Sequence, residues 1–230
     1  MRAAHRIAGP AIRRRLRARV TGLEQVPTTG GVLLAANHVS NLDNYLLAAC
    51  CPRPVHFLGK AELARGLFGR FNLALGMVPV ARGVGDVHAL DALVELLTDG
   101  RVVALFPEGT RSPTGQLHRF RSGLARVAAQ AAAPVIPVGI RGTTVVWPRG
   151  RRPQLARPAP GAVEVRFGAP IPPPRLDAKD RRRFTAEART AVAALSGQSL
   201  EQRFTPIEHA GPHGDAGPRG ESGPSGESGP

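Results

Sequence analysis

Six short apolar runs between residues 31 and 168 constrain the fold most: GVLLAA (31–36), VHFLG (55–59), MVPVA (77–81), VVALFP (102–107), VIPVGI (135–140) and VEVRFG (163–168). Their shortness and their Val and Ile content read as strands. Stretches with helical spacing lie between them. The clearest is Asp86 to Thr98, with Asp86 as an N-cap, Leu90, Leu93, Val94 and Leu97 as an apolar stripe, and Gly100 as the stop. Arg121 to Ala133 and Lys179 to Leu195 read as two further helices. This alternation predicts an α/β fold, a mixed, mostly parallel sheet flanked by helices. In such sheets binding groups collect where strands give way to loops.

A chain of 230 residues with 42% hydrophobic content is long enough for one domain with its own core. We expect that domain over residues 21–200, a basic segment over 1–20 and a tail over 201–230. In the tail, Gly recurs at 211, 214, 217, 220, 223, 226 and 229, a collagen-like period of three. A disordered polar tail is the first reading and an oligomerising mini-collagen the second.

The formal charge of +14 rests almost wholly on arginine, Lys60 and Lys179 being the only lysines, and draws the surface to phosphate-rich partners. Nucleic acid, anionic lipid and phosphorylated small molecules all qualify. The segment AIRRRLRARV (11–20) places Ile12, Leu16 and Val20 one helical turn apart after Pro10, as a short basic amphipathic helix. Such a helix either lies on an anionic membrane surface or caps the core while its arginines face water. It has no aromatic residue to stack on bases, which argues against a nucleic-acid partner. No apolar stretch follows the first arginines as a signal peptide requires, and none reaches the roughly 18 residues of a spanning helix. The expectation is peripheral attachment to the cytoplasmic face of the membrane. The only cysteines, Cys50 and Cys51, are neighbours and lack zinc-site spacing, so a reducing compartment and no structural metal are expected.

Two polar stretches at strand ends carry chemistry. Directly after GVLLAA comes NHVSNLD, with His38 five residues before Asp43. A histidine there can act as general base, and a carboxylate one turn on can hold its other ring nitrogen. The same residues also fit a Ser-x-x-Asp cap from Ser40, in which Asp43 merely satisfies backbone N–H groups. The second stretch, FPEGTRS (106–112), combines Glu108, Gly109, Thr110 and Arg111 in one turn. Arg111 can fork two N–H bonds onto a phosphate, helped by backbone N–H groups beside Gly109. The plain alternative is a Pro/Gly turn with a surface Glu108–Arg111 ion pair. With Lys60 ending VHFLGK and Arg82 ending GMVPVAR, three strand ends deliver a cation and a fourth delivers His38.

Taken together, these blocks resemble the glycerolipid acyltransferase family typified by 1-acylglycerol-3-phosphate acyltransferases. Asn37, His38 and Asp43 match its N-H-x4-D block; GMVPVAR, with Gly76 and Arg82, matches the second; FPEGTRS matches the third; and VIPVGIRG (135–142) is similar to the fourth. The resemblance spans roughly residues 20 to 196. It implies a glycerol-phosphate acyltransferase-like fold and transfer of an acyl group from acyl-CoA or acyl-carrier protein to the hydroxyl of a lysophospholipid, foremost lysophosphatidate. By carry-over His38 is the base, Asp43 orients and charges it, Lys60, Arg82 and Arg111 surround the acceptor phosphate, and Glu108, Gly109 and Thr110 shape that pocket. No metal or bound cofactor is called for. No Gly-x-Ser-x-Gly elbow occurs, in keeping with direct transfer. Competing readings are an acyltransferase for another lysophospholipid, an amino-acid lipid or a glycolipid; a non-catalytic module for anionic lipid or nucleic acid; and a thioesterase in which His38 activates water.

Overall fold

The computed structural model describes residues 2–80, 86–175 and 177–206. The elements in chain order are α1 (Arg2–Leu16), β1 (Arg19–Thr21), β2 (Val32–Ala36), α2 (Leu42–Cys50), β3 (Val55–Lys60), α3 (Gly66–Ala74), β4 (Met77–Val80), α4 (Asp86–Thr98), β5 (Val102–Leu105), α5 (Gly123–Gln130), β6 (Val135–Arg141), α6 (Thr143–Val146), β7 (Glu164–Phe167) and α7 (Ala178–Ser196). The expected strands and three long helices are present to within a few residues.

The strands form one seven-stranded sheet in the order β1-β7-β6-β2-β5-β3-β4, parallel except where β7 runs antiparallel to β6. All five residues of β2 are buried, because both faces of the sheet are covered. Val32, Leu34 and Ala36 join one core with Leu46 and Leu47 of α2. Leu33 and Ala35, one residue out of step, join the other with Leu93 of α4, Leu124 of α5 and Ala188 of α7. The two-residue strand period thus sorts neighbouring side chains into opposite layers.

Two boundaries differ from expectation. The basic helix runs over Arg2–Leu16, with Pro10 inside it, and Arg19–Thr21 leave it to pair with β7. Ile12 and Leu16 pack on the core from the helix, whereas Val20 reaches the same core from a strand. Three residues are too few for a strand period to show in sequence. At the other end, residues 201–206 belong to the body: the Glu201 amide donates to Leu117 and the Arg121 guanidinium donates to the Thr205 carbonyl. The glycine repeat lies outside the described residues. No helix among the described residues is long and apolar enough to cross a membrane.

Glycine is required where α7 crosses β6. A Cβ on Gly139 would sit 2.4 Å from the Leu195 carbonyl carbon and 2.5 Å from the Ser196 nitrogen, both backbone. Gly139→Ala must therefore push α7 off the sheet, at about 1–3 kcal/mol for overpacking. Urea unfolding should show that loss with an unchanged m-value.

Candidate active site

The crevice follows from the order of the strands. The connection from β2 runs through α2 on one face of the sheet to β3, and that from β5 runs through α5 on the other face to β6. Because β2 and β5 are adjacent, their carboxyl ends open into a gap between diverging connections, where α/β sheets bind ligands. His38 leaves the end of β2 and the FPEGTRS turn leaves the end of β5. The two are tied together. The His38 amide donates to Glu108 Oε1 at 3.0 Å, and the Ser112 amide donates to the His38 carbonyl at 2.7 Å.

Asp43 holds the imidazole. His38 Nδ1 lies 2.9 Å from Asp43 Oδ2, which also accepts from the amides of Val39 at 2.7 Å and Ser40 at 2.8 Å. A carboxylate oxygen taking three donors is ionised, so Nδ1 carries the proton toward it and Nε2 is left as the basic nitrogen. The orienting role and the capping role, alternatives in the sequence, are filled by the same oxygen. The Ser40 hydroxyl completes the cap by accepting from the Leu42 amide at 3.1 Å. The other carboxylate oxygen accepts from the Thr143 hydroxyl at 2.6 Å. Asp43 and Thr143 are fully buried, while the His38 side chain keeps 14% exposure, enough for a substrate to reach it. The Phe106 ring stacks on the imidazole at 4.2 Å between centroids.

Asn37 fixes the strand end beneath this turn. Its amide donates to the Ile140 carbonyl at 2.9 Å and its carbonyl accepts from the Ile140 amide at 2.7 Å. The asparagine thus continues the β2–β6 ladder through its side chain, one residue past the strand.

Glu108 stands inside the body and not at the surface, where the plain alternative set it. It is fully buried, with Oε1 on the His38 amide and Oε2 on the His118 amide at 3.0 Å. Its two oxygens tie β2, the FPEGTRS turn and the 118 segment together. Burial pushes its carboxyl up to about 7, against the two amides, which favour the charged form. Gly109 has φ +83°, and a Cβ there would meet Arg121 Nε at 2.6 Å. Thr110 and Arg111 are half-buried on the same turn, next to Ser112 and hence to His38. Lys60 is exposed at the end of β3, two strands or about 10 Å across the sheet from β2. Arg82 lies outside the described residues.

Sequence reasoning missed Thr143. Its signal was present, a hydroxyl immediately after the VIPVGIRG block, but only the β2–β6 pairing brings that block beside Asp43. Among the described residues no group of three His, Cys, Asp or Glu side chains could hold a metal ion. Cys50 and Cys51 are buried, and burial pushes their thiols up to about 12 and about 11, far from nucleophilic.

Comparison with known proteins gives the family of this parallel sheet with a histidine–carboxylate pair at one strand end and a glycine turn at the next, and it is a family of transferases. The Acyltransferase family model matches residues 17–141, and the chain belongs to that family. A chloroplastic 1-acyl-sn-glycerol-3-phosphate acyltransferase of Arabidopsis thaliana is 32% identical over 76% of this chain and 48% of its own length. The lyso-ornithine lipid O-acyltransferase of Pseudomonas aeruginosa is 33% identical over 68% of this chain and 66% of its own. The crystal structure of the 1-acyl-sn-glycerophosphate acyltransferase of Thermotoga maritima superposes with a TM-score of 0.69 at 25% identity, covering 86% of this chain and 80% of that one. The chain spans about half the length of the first curated relatives it matches.

The raised Glu108 carboxyl has a signature in stability. Its folded value lies above the ordinary 4.5, so between those pH values the folded state keeps a proton that the unfolded chain has lost. Stability from this group should fall as pH rises from about 4.5 to about 7 and level off above, by about 3 kcal/mol in all. Denaturant titrations across that range, beside Glu108→Gln, should show a descending step that the variant lacks.

Proposed function

We propose that the chain transfers an acyl group from acyl-CoA or acyl-carrier protein to the free hydroxyl of lysophosphatidate, giving phosphatidate. The observation that carries this reading is the His38–Asp43 contact at the open end of β2, with Nε2 as the free base. In the reaction His38 Nε2 takes the hydroxyl proton as the oxygen attacks the thioester carbonyl. The tetrahedral intermediate then breaks its C–S bond, and the leaving thiolate recovers the proton from the imidazolium. Asp43 stabilises that imidazolium and fixes its orientation, and Thr143 fixes Asp43. The sequence so written calls for no metal or bound cofactor.

A phosphate-bearing acceptor is supported by the cations at the carboxyl ends of the strands, Lys60 after β3 and Arg111 after β5, and by Arg82 in the sequence block GMVPVAR. A second acceptor, a lyso-ornithine lipid, is supported by the 33% identity to an acyltransferase of that name. The acceptor lies in a membrane under either reading. The arginine-rich α1 supports peripheral attachment to an anionic leaflet on the cytoplasmic side.

Transfer of a labelled acyl group to lysophosphatidate, lyso-ornithine lipid, other lysophospholipids and water tests the proposal. Wild type should form phosphatidate, and His38→Ala should lower the rate about 10²–10⁴-fold, the range for a lost general base. Product from another acceptor alone would move the substrate, and acyl release to water alone would make the chain a thioesterase. Thr143→Val should lower kcat about tenfold with little change in KM, since it disturbs the base rather than the binding surface. Restoring the hydroxyl as Thr143→Ser should recover most of the rate.

A further inference from the structure

Helix α3 is built inside out. A surface helix normally turns its apolar residues to the core and its polar ones to water. In α3 the buried residues are Gly69 and Asn72. Leu67 is 84% exposed, Phe68 53% and Phe71 42%, all on the outer side, with Leu63 of the preceding 3-10 turn also exposed.

The inner side shows that this placement is specific. A Cβ on Gly69 would lie 2.1 Å from the Ala64 carbonyl carbon, so the helix sits directly on the preceding 3-10 turn, Ala61–Ala64. Asn72 is fully buried and satisfied on both ends of its amide: Nδ2 donates to the Leu63 carbonyl at 2.9 Å and Oδ1 accepts from the Tyr45 hydroxyl at 3.0 Å. A satisfied buried amide sets the rotation of the helix, and that rotation presents leucine and phenylalanine to the outside.

The outer side has the chemistry of a lipid interface. Within residues 60–74 the exposed charges are Lys60, Arg65 and Arg70 against Glu62, and the two arginines bracket Leu67 and Phe68 at two to three residues' distance in sequence. Cations bordering an apolar aromatic face fit an anionic bilayer, with arginine at the head groups and rings at the acyl boundary. The patch also joins the active site. Phe68 neighbours Phe71, Phe71 neighbours Tyr45, and Tyr45 lies 6.4 Å from Trp147, whose carbonyl holds the Ser40 hydroxyl of the catalytic turn at 2.7 Å. Helix α3 follows β3, which ends on the same sheet edge as β2, so its first turn and His38 share one side of the molecule.

We propose that α3 inserts Leu67 and Phe68 into the surface of an anionic phospholipid bilayer and thereby holds the His38 crevice at the level of the lipid head groups. This rests on the reading of the acceptor as a membrane lipid. It differs from attachment through the arginines of α1 in being chiefly apolar, so part of it survives salt.

The test uses the full chain and vesicles of phosphatidylcholine mixed with phosphatidylglycerol. Leu67→Ser with Phe68→Ser removes exposed side chains only, so the fold should persist. The double variant should partition onto vesicles about tenfold less than wild type, and the deficit should remain at high salt, where electrostatic attachment is screened. A nitrobenzoxadiazole label on Leu67→Cys gives a second measurement; Cys50 and Cys51 are buried and unreactive, so residue 67 takes the label. Its emission should shift to the blue on vesicles. Transfer to a short-chain lysolipid dissolved as monomers should be unchanged in the double variant. Equal partition of variant and wild type, or label emission that stays as in water, would overturn the proposal. So would a wild-type dimer that the double variant splits, which would make the patch a contact between copies, or loss of transfer to the dissolved acceptor. Partition and emission decide the surface even in the absence of turnover, which would overturn the proposed reaction alone.

Discussion

The Asp43 carboxylate is the point on which the open end of β2 depends. Its Oδ2 gathers the His38 ring and two backbone amides of the turn, and its Oδ1 takes the Thr143 hydroxyl from beyond β6. An ionised carboxylate buried without donors would cost many kcal/mol, and this one is stable only because four donors converge on it. The consequence runs outward in three directions. The turn from β2 into α2 takes one shape, the imidazole takes one tautomer, and the start of α6 is anchored to the start of α2. All of this is in place before any substrate arrives, which is the condition for a base that costs little reorganisation in the reaction.

Glu108 is the complementary case. It is buried as deeply as Asp43 but receives only two backbone amides, and the Asp43 charge adds to the effect of burial, so its carboxyl rises. Of the two carboxylates, the one in the first turn of α2 holds the imidazole and the one in the turn after β5 braces the surrounding loops. The brace acts at the centre of the sheet, where β2 and β5 part company and their following helices go to opposite faces. A crevice at such a place tends to spread unless its rims are tied. Here the His38 amide and carbonyl are tied to Glu108 and Ser112, on either side of the exposed Gly109 turn.

Much of the fold was legible because local patterns agreed with the tertiary result. The runs at 32–36 and 102–105 are apolar on both faces, the mark of a buried parallel strand, and the stripe from Leu90 to Leu97 has the helical period. Arg19–Thr21 was not legible, since three residues become a strand only by the partner that β7 provides. The basic segment carried the right apolar positions but the wrong end, because a helical period of three or four does not separate Val20 in a helix from Val20 in a strand. The site divided in the same way. His38 and Asp43 are five residues apart and could be read as a pair, whereas Thr143 is 100 residues from Asp43 and Glu108 is 70 from His38.

The sequence by itself determined the class of fold and set His38 and Asp43 within reach of each other, because these rest on short-range spacing and on residue chemistry. Tertiary structure decided which way each side chain turns. The same Glu108 that reads as half of a surface ion pair is drawn inside by two amides, one of which, that of His38, it meets only through the β2–β5 pairing. The leucines and phenylalanines of α3 are turned outward, because a glycine and a satisfied asparagine occupy the side that faces the body. Side-chain direction depends on what lies opposite, and what lies opposite is set by residues far away in the chain.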